Sequence, residues 1–348
     1  MPKTHNHLFD EITSYENLYR ALHDAARHKR YHTDVIGILF KQEETIEQLH
    51  SEMRNGSWFP SGYREFMCKT EVKRRIIHAP DFRDNIVHHA ICGIVAPLFL
   101  PKFIADSYAV TPGKGTHRAV HRVQGFLREA GKEGAPVYVL QCDIHHYYQS
   151  IRHEILFEQI KRTIRDKRVL ELWWRIIDGF NGDTGIGLPI GALTSQLSAN
   201  IYLNVLDHFV KECIGWKMYL RYMDDFILIG NDKQKLWSAL ADIRWLLDTK
   251  LRLELNSKTA LYPACRGIDF AGYRTWANHV LPRKRNVKAA KRRFSKLSKD
   301  FSEWKVDYDD VHQRVASFLG YMSHCNGHDT AASTLERLKL HRNHLDND

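Results

Sequence analysis

A chain of 348 residues is long enough for about two domains with a large core, and its 51 Lys and Arg against 41 Asp and Glu leave a net charge of +10, which favours a polyanionic partner over an acidic membrane or an apolar ligand. Six cysteines (Cys68, Cys92, Cys142, Cys213, Cys265, Cys325) stand without any CxxC pair, which argues against a disulfide framework or zinc site and predicts free thiols in a reducing cytoplasm. The opening MPKTHNHLFDEI lacks the basic-then-apolar run of a signal peptide, and the most apolar stretch, Ile91 to Leu100, is too short to span a bilayer and contains Pro97, so no membrane partner is expected.

In chain order, Thr13 to Met53 reads as helices, with Leu18, Leu22 and Ala25 on one face and Ile46, Leu49 and Met53 on another, before NGSWFPSG breaks the pattern. Nothing in this extension carries chemistry. REFMCKTEVKRRIIHAPDF then places two short strand-like runs around Lys73, Arg74 and Arg75, a basic hairpin that by itself could simply be solvated. SYAVTPGKGTHRAV is a glycine-containing loop opening a helix; it can offer backbone amides to an anion, but it lacks the spacing of a Walker motif. Val137 to Ile144 (VYVLQCDI) is apolar enough for a central strand, yet Asp143 lies near its end, ahead of a helical pattern starting around Ser150. In GLPIGALTSQLSANIYLNVLDHFV, Gly187, Pro189 and Gly191 make a tight entry to a long helix, on which Ala192, Ser195 and Ala199 keep one side small enough for a base pair.

RYMDDFILIG reads as a β-hairpin with Asp224 and Asp225 side by side at its turn. Asp is a common turn residue. Two adjacent anions, however, repel by about 1 kcal/mol in water at 4 Å and several-fold more at low dielectric, which predicts a cation between them. An oxygen-only donor set selects Mg²⁺ or Mn²⁺, and with Asp143 the three carboxylates could hold two ions about 3.5–4 Å apart, the clamp used in phosphoryl transfer. Further on, Leu236, Leu240, Ile243, Leu247 and Leu251 form the apolar stripe of a helix, and GIDFAGYRTW supplies a strand and turn. Beyond Pro282, Val287, Ala290, Phe294, Leu297, Phe301 and Trp304 recur at helical spacing, while ten Lys and Arg face only Asp300 and Glu303 between Arg283 and Lys305, a pattern for a helix with one packed and one basic face. Helical segments at Val315 to Met322 and Thr334 to Leu340 complete the chain. His324, Cys325 and His328 are three clustered donors without a fourth and make a poor metal site.

YMDD after an apolar strand, with an upstream Asp followed by an aromatic residue five positions later (Asp143 and Tyr148), resembles the palm of reverse transcriptases, over roughly Ser61 to Leu340. That resemblance implies an α+β right-hand polymerase with a ferredoxin-like palm: an N-terminal helical extension over 1–60, fingers and palm over 61–280, and a helical basic thumb over 281–348. It implies metal ligation by Asp143, Asp224, Asp225 and the Ile144 carbonyl, with two Mg²⁺ ions (Mn²⁺ as the alternative). It implies nucleotide contacts from Lys73, Arg75, Tyr148, Ile190, Gly191, Gln196 and Lys258, with Tyr148 against the sugar and Lys258 as a general acid for pyrophosphate. Tyr222, Met223, Gly272 and Tyr273, with Phe270 beside them, would meet the primer-template, and Lys284, Lys288, Lys291 and Arg292 its backbone. Asn85 and Thr111 stand where the family commonly has Arg.

Where the family usually has QGxxxSP, this chain has Ile190 before Gly191 and Gln196 after Ser195, giving IGALTSQ. That variant resembles the reverse transcriptases of diversity-generating retroelements, whose cDNA synthesis miscopies template adenines. The resemblance implies a bacterial or phage-encoded enzyme in the cytoplasm, working with deoxynucleoside triphosphates, a retroelement template RNA, the cDNA duplex, and a small, basic, oligomeric accessory variability protein. The other readings are a group II intron-like or defence-associated reverse transcriptase, and a scaffold that binds structured RNA without polymerising.

Overall fold

In the computed structural model of the chain, the described residues are 4–68, 75–132 and 134–342, without the side chains of Cys68 and Arg75. Lys73 therefore lies outside the described residues, and only the backbone of Arg75 is described. Strands among the described residues are β1 (Tyr63–Cys68), β2 (Arg75–Pro80), β3 (Tyr138–Asp143), β4 (Tyr219–Tyr222), β5 (Asp225–Gly230), β6 (Ala260–Pro263), β7 (Ile268–Phe270), β8 (Tyr273–Thr275) and β9 (Val280–Pro282). By packing, the chain divides into one unit of Met1–Pro112, Cys142–Lys217 and Ser238–Thr259, and another of Gly113–Gln141, Met218–Trp237 and Ala260–Asp348.

The first unit is mainly helical. Ser14 caps the helix Tyr15–Ala26 by accepting from the Asn17 amide at 3.2 Å, and Leu18, Leu22 and Ala25 are buried as their spacing predicts. Asn17 sends its side-chain amide to the carbonyls of Ile12 (2.8 Å) and Ala90 (3.1 Å), tying this helix to the long apolar helix Phe82–Phe99, which holds Pro97 in its last turn. β1 and β2 pair as an antiparallel hairpin from Tyr63↔Pro80 to Cys68↔Arg75. Its base is anchored by the buried Asp84, which accepts from the Ser61 amide (2.7 Å) and hydroxyl (2.6 Å). The helix Leu193–His208 is buried along most of its length, and one consequence overturns an expectation: Ala192, Ser195 and Ala199 are turned into the protein and offer no open surface for a base pair. Small side chains here permit close helix packing instead.

The second unit holds the main sheet, in the order β4-β5-β3-β6. With helices connecting β3 to β4 and β5 to β6, this is the split β-α-β-β-α-β arrangement of a ferredoxin-like sheet. β7, β8 and β9 form a separate antiparallel meander. The basic helix Lys284–Ser302 packs Ala290, Phe294, Leu297 and Phe301 against Val311, Phe318, Met322 and Ala331 of the following helices Tyr308–Met322 and His328–Leu335. Two details differ from the sequence reading. The last helix lies earlier than Thr334 to Leu340, because Gly327 and the residues after it start it. Trp304 is exposed, since the basic helix ends at Ser302 and Trp304 sits at φ 60°, its ring covered by the Arg342 guanidinium at 4.1 Å. The five cysteines whose side chains are described are free thiols. No helix among the described residues is long and apolar enough to cross a membrane.

Candidate active site

The apolar runs of RYMDDFILIG pair in the register Tyr219↔Leu228, Leu220↔Ile227, Arg221↔Phe226 and Tyr222↔Asp225, leaving Met223 and Asp224 as a two-residue loop. Such loops need left-handed backbone, and Met223 supplies it at φ 56°. A non-glycine residue held there costs about 1–3 kcal/mol, a strain that persists where the surroundings over-determine it. The surroundings here include Arg221, a fully buried guanidinium whose Nη1 donates to the Met223 carbonyl at 2.9 Å. Asp224 thus tops the loop and Asp225 opens β5, both half-buried, with a fixed positive charge beneath them. Tyr222 is half-buried, and burial pushes its phenol pKa up.

Three residues that sequence reasoning passed over surround Asp225 in this unit. Gln141 Nε2 donates to Asp225 Oδ1 at 3.4 Å, and the Tyr262 hydroxyl donates to Gln141 Oε1 at 2.7 Å. Burial, and next the negative charge of Asp225, push the Tyr262 pKa up. Arg283 is held below the ordinary arginine pKa by burial and by Arg285, while the Asp225 charge pulls it back up. A signal for Gln141 existed: two residues before Asp143, it shares that residue's face of the strand.

Asp143 lies in the first unit. Asn256 meets it twice, backbone N to the Asp143 carbonyl at 2.7 Å and Nδ2 to Oδ2 at 3.1 Å. The His145 amide donates to the Glu254 carbonyl at 2.8 Å around the bridge Ile144↔Leu255. In this ladder pattern Ile144's own carbonyl is not among the acceptors facing the 254–256 segment. Among the described residues no three His, Cys, Asp or Glu side chains form a group that could ligate a metal by themselves. The fit of the hairpin to a cation rests on donor chemistry: adjacent carboxylates are hard oxygen ligands of a divalent ion.

Of the two adjacent tyrosines, Tyr147 is buried with its hydroxyl donating to the Ala199 carbonyl, whereas Tyr148 is half-buried, edge-on to it at 5.7 Å. At the helix entry, the His78 amide of β2 donates to the Ile190 carbonyl at 2.8 Å. Gly191 follows at φ 127°, where a Cβ would sit 2.9 Å from Ile77 Cγ2 and 3.3 Å from the His78 carbonyl oxygen. Only glycine fits that approach. Ile190 and Gln196 are half-buried and Lys258 is exposed. Asn85 is buried, and the Thr111 hydroxyl donates to the Ala109 carbonyl at 3.2 Å.

The turn Ala271-Gly272 has φ 47° and 93°, the pattern of a type I′ hairpin loop. Tyr273 and Phe270 are buried, and the Tyr273 hydroxyl donates to the Tyr321 carbonyl at 2.9 Å. The Tyr273 side chain thus serves the interior. Along the basic helix Lys284, Lys288 and Arg292 are exposed, whereas Lys291 is half-buried and donates to Ser333 Oγ at 3.3 Å.

Residues 68–321 match the family described as reverse transcriptase (RNA-dependent DNA polymerase). Protein YkfC of Escherichia coli K12 is 28% identical over 269 residues, covering 66% of this chain and 70% of that protein. The group II intron-encoded protein LtrA of Lactococcus lactis subsp. cremoris is 29% identical over 232 residues, 64% of this chain but only 38% of LtrA. Among solved structures, telomerase from Candida tropicalis in complex with a fragment of telomeric RNA aligns over 85% of this chain and 59% of its own, with a TM-score of 0.49 and 12% identity. With the family model spanning most of its length, the chain belongs to the reverse transcriptases, RNA-dependent DNA polymerases of right-hand α+β fold that work with divalent metal ions.

Proposed function

We propose that this chain copies a retroelement template RNA into cDNA, joining a primer 3′-hydroxyl to deoxynucleoside triphosphates, with Asp143, Asp224, Asp225 and the Ile144 carbonyl holding two Mg²⁺ ions. The observation that carries this reading is the acidic hairpin, where a strained two-residue loop over a buried arginine keeps two carboxylates side by side. When bound, the ions supply charge neutralisation at the attacking and leaving oxygens. The chain's own groups do the rest. Tyr148, less buried than its neighbour, stands against the sugar and disfavours a 2′-hydroxyl. Lys258 donates a proton to pyrophosphate from its exposed position. Lys73 and Arg75 neutralise the triphosphate, and the turn at Gly272 with Lys284, Lys288 and Arg292 tracks the primer-template backbone. Residues 1–60 form an extension, 61–280 the fingers and palm, and 281–348 the thumb.

The finer assignment is to the diversity-generating type, cytoplasmic and assisted by an oligomeric basic accessory protein. It is supported by Ile190 and Gln196 flanking the Gly191 entry. Reshaping the pocket for the templating base there lowers discrimination, which depends on differences of only a few kcal/mol. The similarity to LtrA favours a second reading, a group II intron-like enzyme. Sequencing the products of primer extension on an RNA template separates them: errors concentrated opposite template adenine support the first, uniform accuracy the second. Changing Ile190→Gln and Gln196→Pro together is expected to raise fidelity at adenine, and an unchanged error spectrum removes the pocket explanation.

A further inference from the structure

Gln141 joins three strands of the second unit through one amide. Its nitrogen donates to Asp225 Oδ1 on β5 (3.4 Å) and to the Asp269 carbonyl on β7 (3.0 Å), while its oxygen accepts from Tyr262 on β6 (2.7 Å). This orientation is self-enforcing. Two acceptors demand the NH₂, so turning the amide over loses the bonds to Asp225 and Asp269, while the Tyr262 hydroxyl can donate or accept and follows the amide. The Asp269 carbonyl takes a second bond from Arg283 Nη2 at 2.9 Å, and the Arg283 guanidinium also pairs with the Asp269 carboxylate. Arg283 is the residue that caps the basic helix. A continuous polar chain therefore runs from the acidic hairpin through Gln141 and Asp269 to the start of that helix.

We propose that Gln141 is a positioning residue that holds the Asp225 carboxylate in register with the β7–β8 hairpin, coupling the reactive end of β5 to the turn that meets the primer. The assignment rests on the polymerase reading above for its consequence, though not for its geometry. The positioning role also accounts for the residue type. A neutral amide orients the carboxylate without neutralising it, whereas Lys or Arg would compete with a cation and Glu would repel Asp225.

The test uses the full chain with Gln141→Leu and Tyr262→Phe, in single-nucleotide extension and in hydrogen exchange. Tyr262→Phe keeps the ring and removes only the hydroxyl that anchors the amide, so it covers the event that Gln141→Leu does not fold. We expect kcat to fall about 10- to 100-fold for Gln141→Leu and less for Tyr262→Phe, as for an ångström-scale misplacement. The KM for primer-template should stay within about 3-fold, because the basic helix is untouched. Amides of 268–275 should exchange faster in both variants. An active wild type with variants of unchanged kcat overturns the positioning role and leaves the polymerase reading standing. Equal losses in kcat and KM with a lowered Tm overturn it in favour of general destabilisation. Wild type without extension removes the polymerase reading, and exchange over 268–275 that ignores both substitutions overturns the coupling in that case too.

Discussion

Asp224 sits at the top of a loop whose neighbouring residues divide the structural work. Met223 bears the left-handed backbone, Arg221 holds that backbone from below, and Asp225 begins the returning strand. Asp224→Asn conserves shape and loses only charge, so under the proposed metal-ligand role it is expected to reduce primer extension by about a thousandfold or more, several kcal/mol. RNA binding measured by filter retention should stay at the wild-type level; comparable loss of both would point to a folding defect. Gly191 makes the opposite kind of demand, on space rather than charge. Gly191→Ala places a Cβ against Ile77 and the His78 carbonyl at a positive φ, and we expect about 1–3 kcal/mol of destabilisation in urea unfolding. At this scale the sequence was readable where a residue type is chemically unusual for its place, as with paired Asp or an Asp ending an apolar strand. Gln141 and Tyr262 escaped notice because a polar residue on a strand is ordinary until its partners from other strands are known.

Between elements, a few buried polar groups set alignment. The Tyr321 hydroxyl donates to the Gly272 carbonyl at 2.8 Å and accepts from the Arg283 amide and the Asn286 side chain, each at 3.3 Å, using its one proton and both lone pairs. It thereby joins the β7–β8 turn, the start of the basic helix and the helix Tyr308–Met322. Tyr321→Phe, which can keep the 4.8 Å stacking on Tyr273, should raise the KM for primer-template by about 5-fold through a loosened turn and helix start, worth about 1 kcal/mol for a lost hydrogen bond; an unchanged KM would show that the hydroxyl is dispensable. In the first unit His88 joins the helices Phe82–Phe99 and Leu193–His208 through a 2.7 Å hydrogen bond to Thr194. Burial, with a smaller contribution from His89, lowers its pKa from 6.5 to about 3. The folded state then binds fewer protons than the unfolded chain between those two values, so the stability is present above pH 6.5 and is lost as pH falls toward 3, at up to about 1.4 kcal/mol per unit. Urea unfolding between pH 7 and 5 should show that loss, and His88→Gln should flatten it.

Across the whole molecule the excess of positive charge, +10 in all, concentrates where an amphipathic helix has already committed its other face to a core. If exposed Lys284, Lys288 and Arg292 act on phosphates without reading bases, as proposed, replacing each by Ala should lower the salt slope of primer-template binding by about 1 and weaken binding alike for unrelated sequences. Lys291, engaged by Ser333, should change the slope less. A slope that drops equally for Lys291→Ala would mean that this bond yields to nucleic acid.

By itself the sequence determined periodicity and chemistry: the amphipathic helices, the acidic hairpin, the glycine at a tight entry and the basic face are all local patterns, because spacing of 2.0 or 3.6 residues and left-handed backbone are properties of short segments. The tertiary structure decided which of those faces remain open. Ala192, Ser195 and Ala199 look from their small size, and Tyr273 from the family resemblance, like surfaces for nucleic acid, yet packing buries all four, and Trp304 looks like core but lies past the helix end. The amide bridge at Gln141 belongs to the same class. Its partners at 225, 262 and 269 are brought together only by sheet pairing and by the strand that follows, and no local pattern encodes contacts between residues so far apart in the chain.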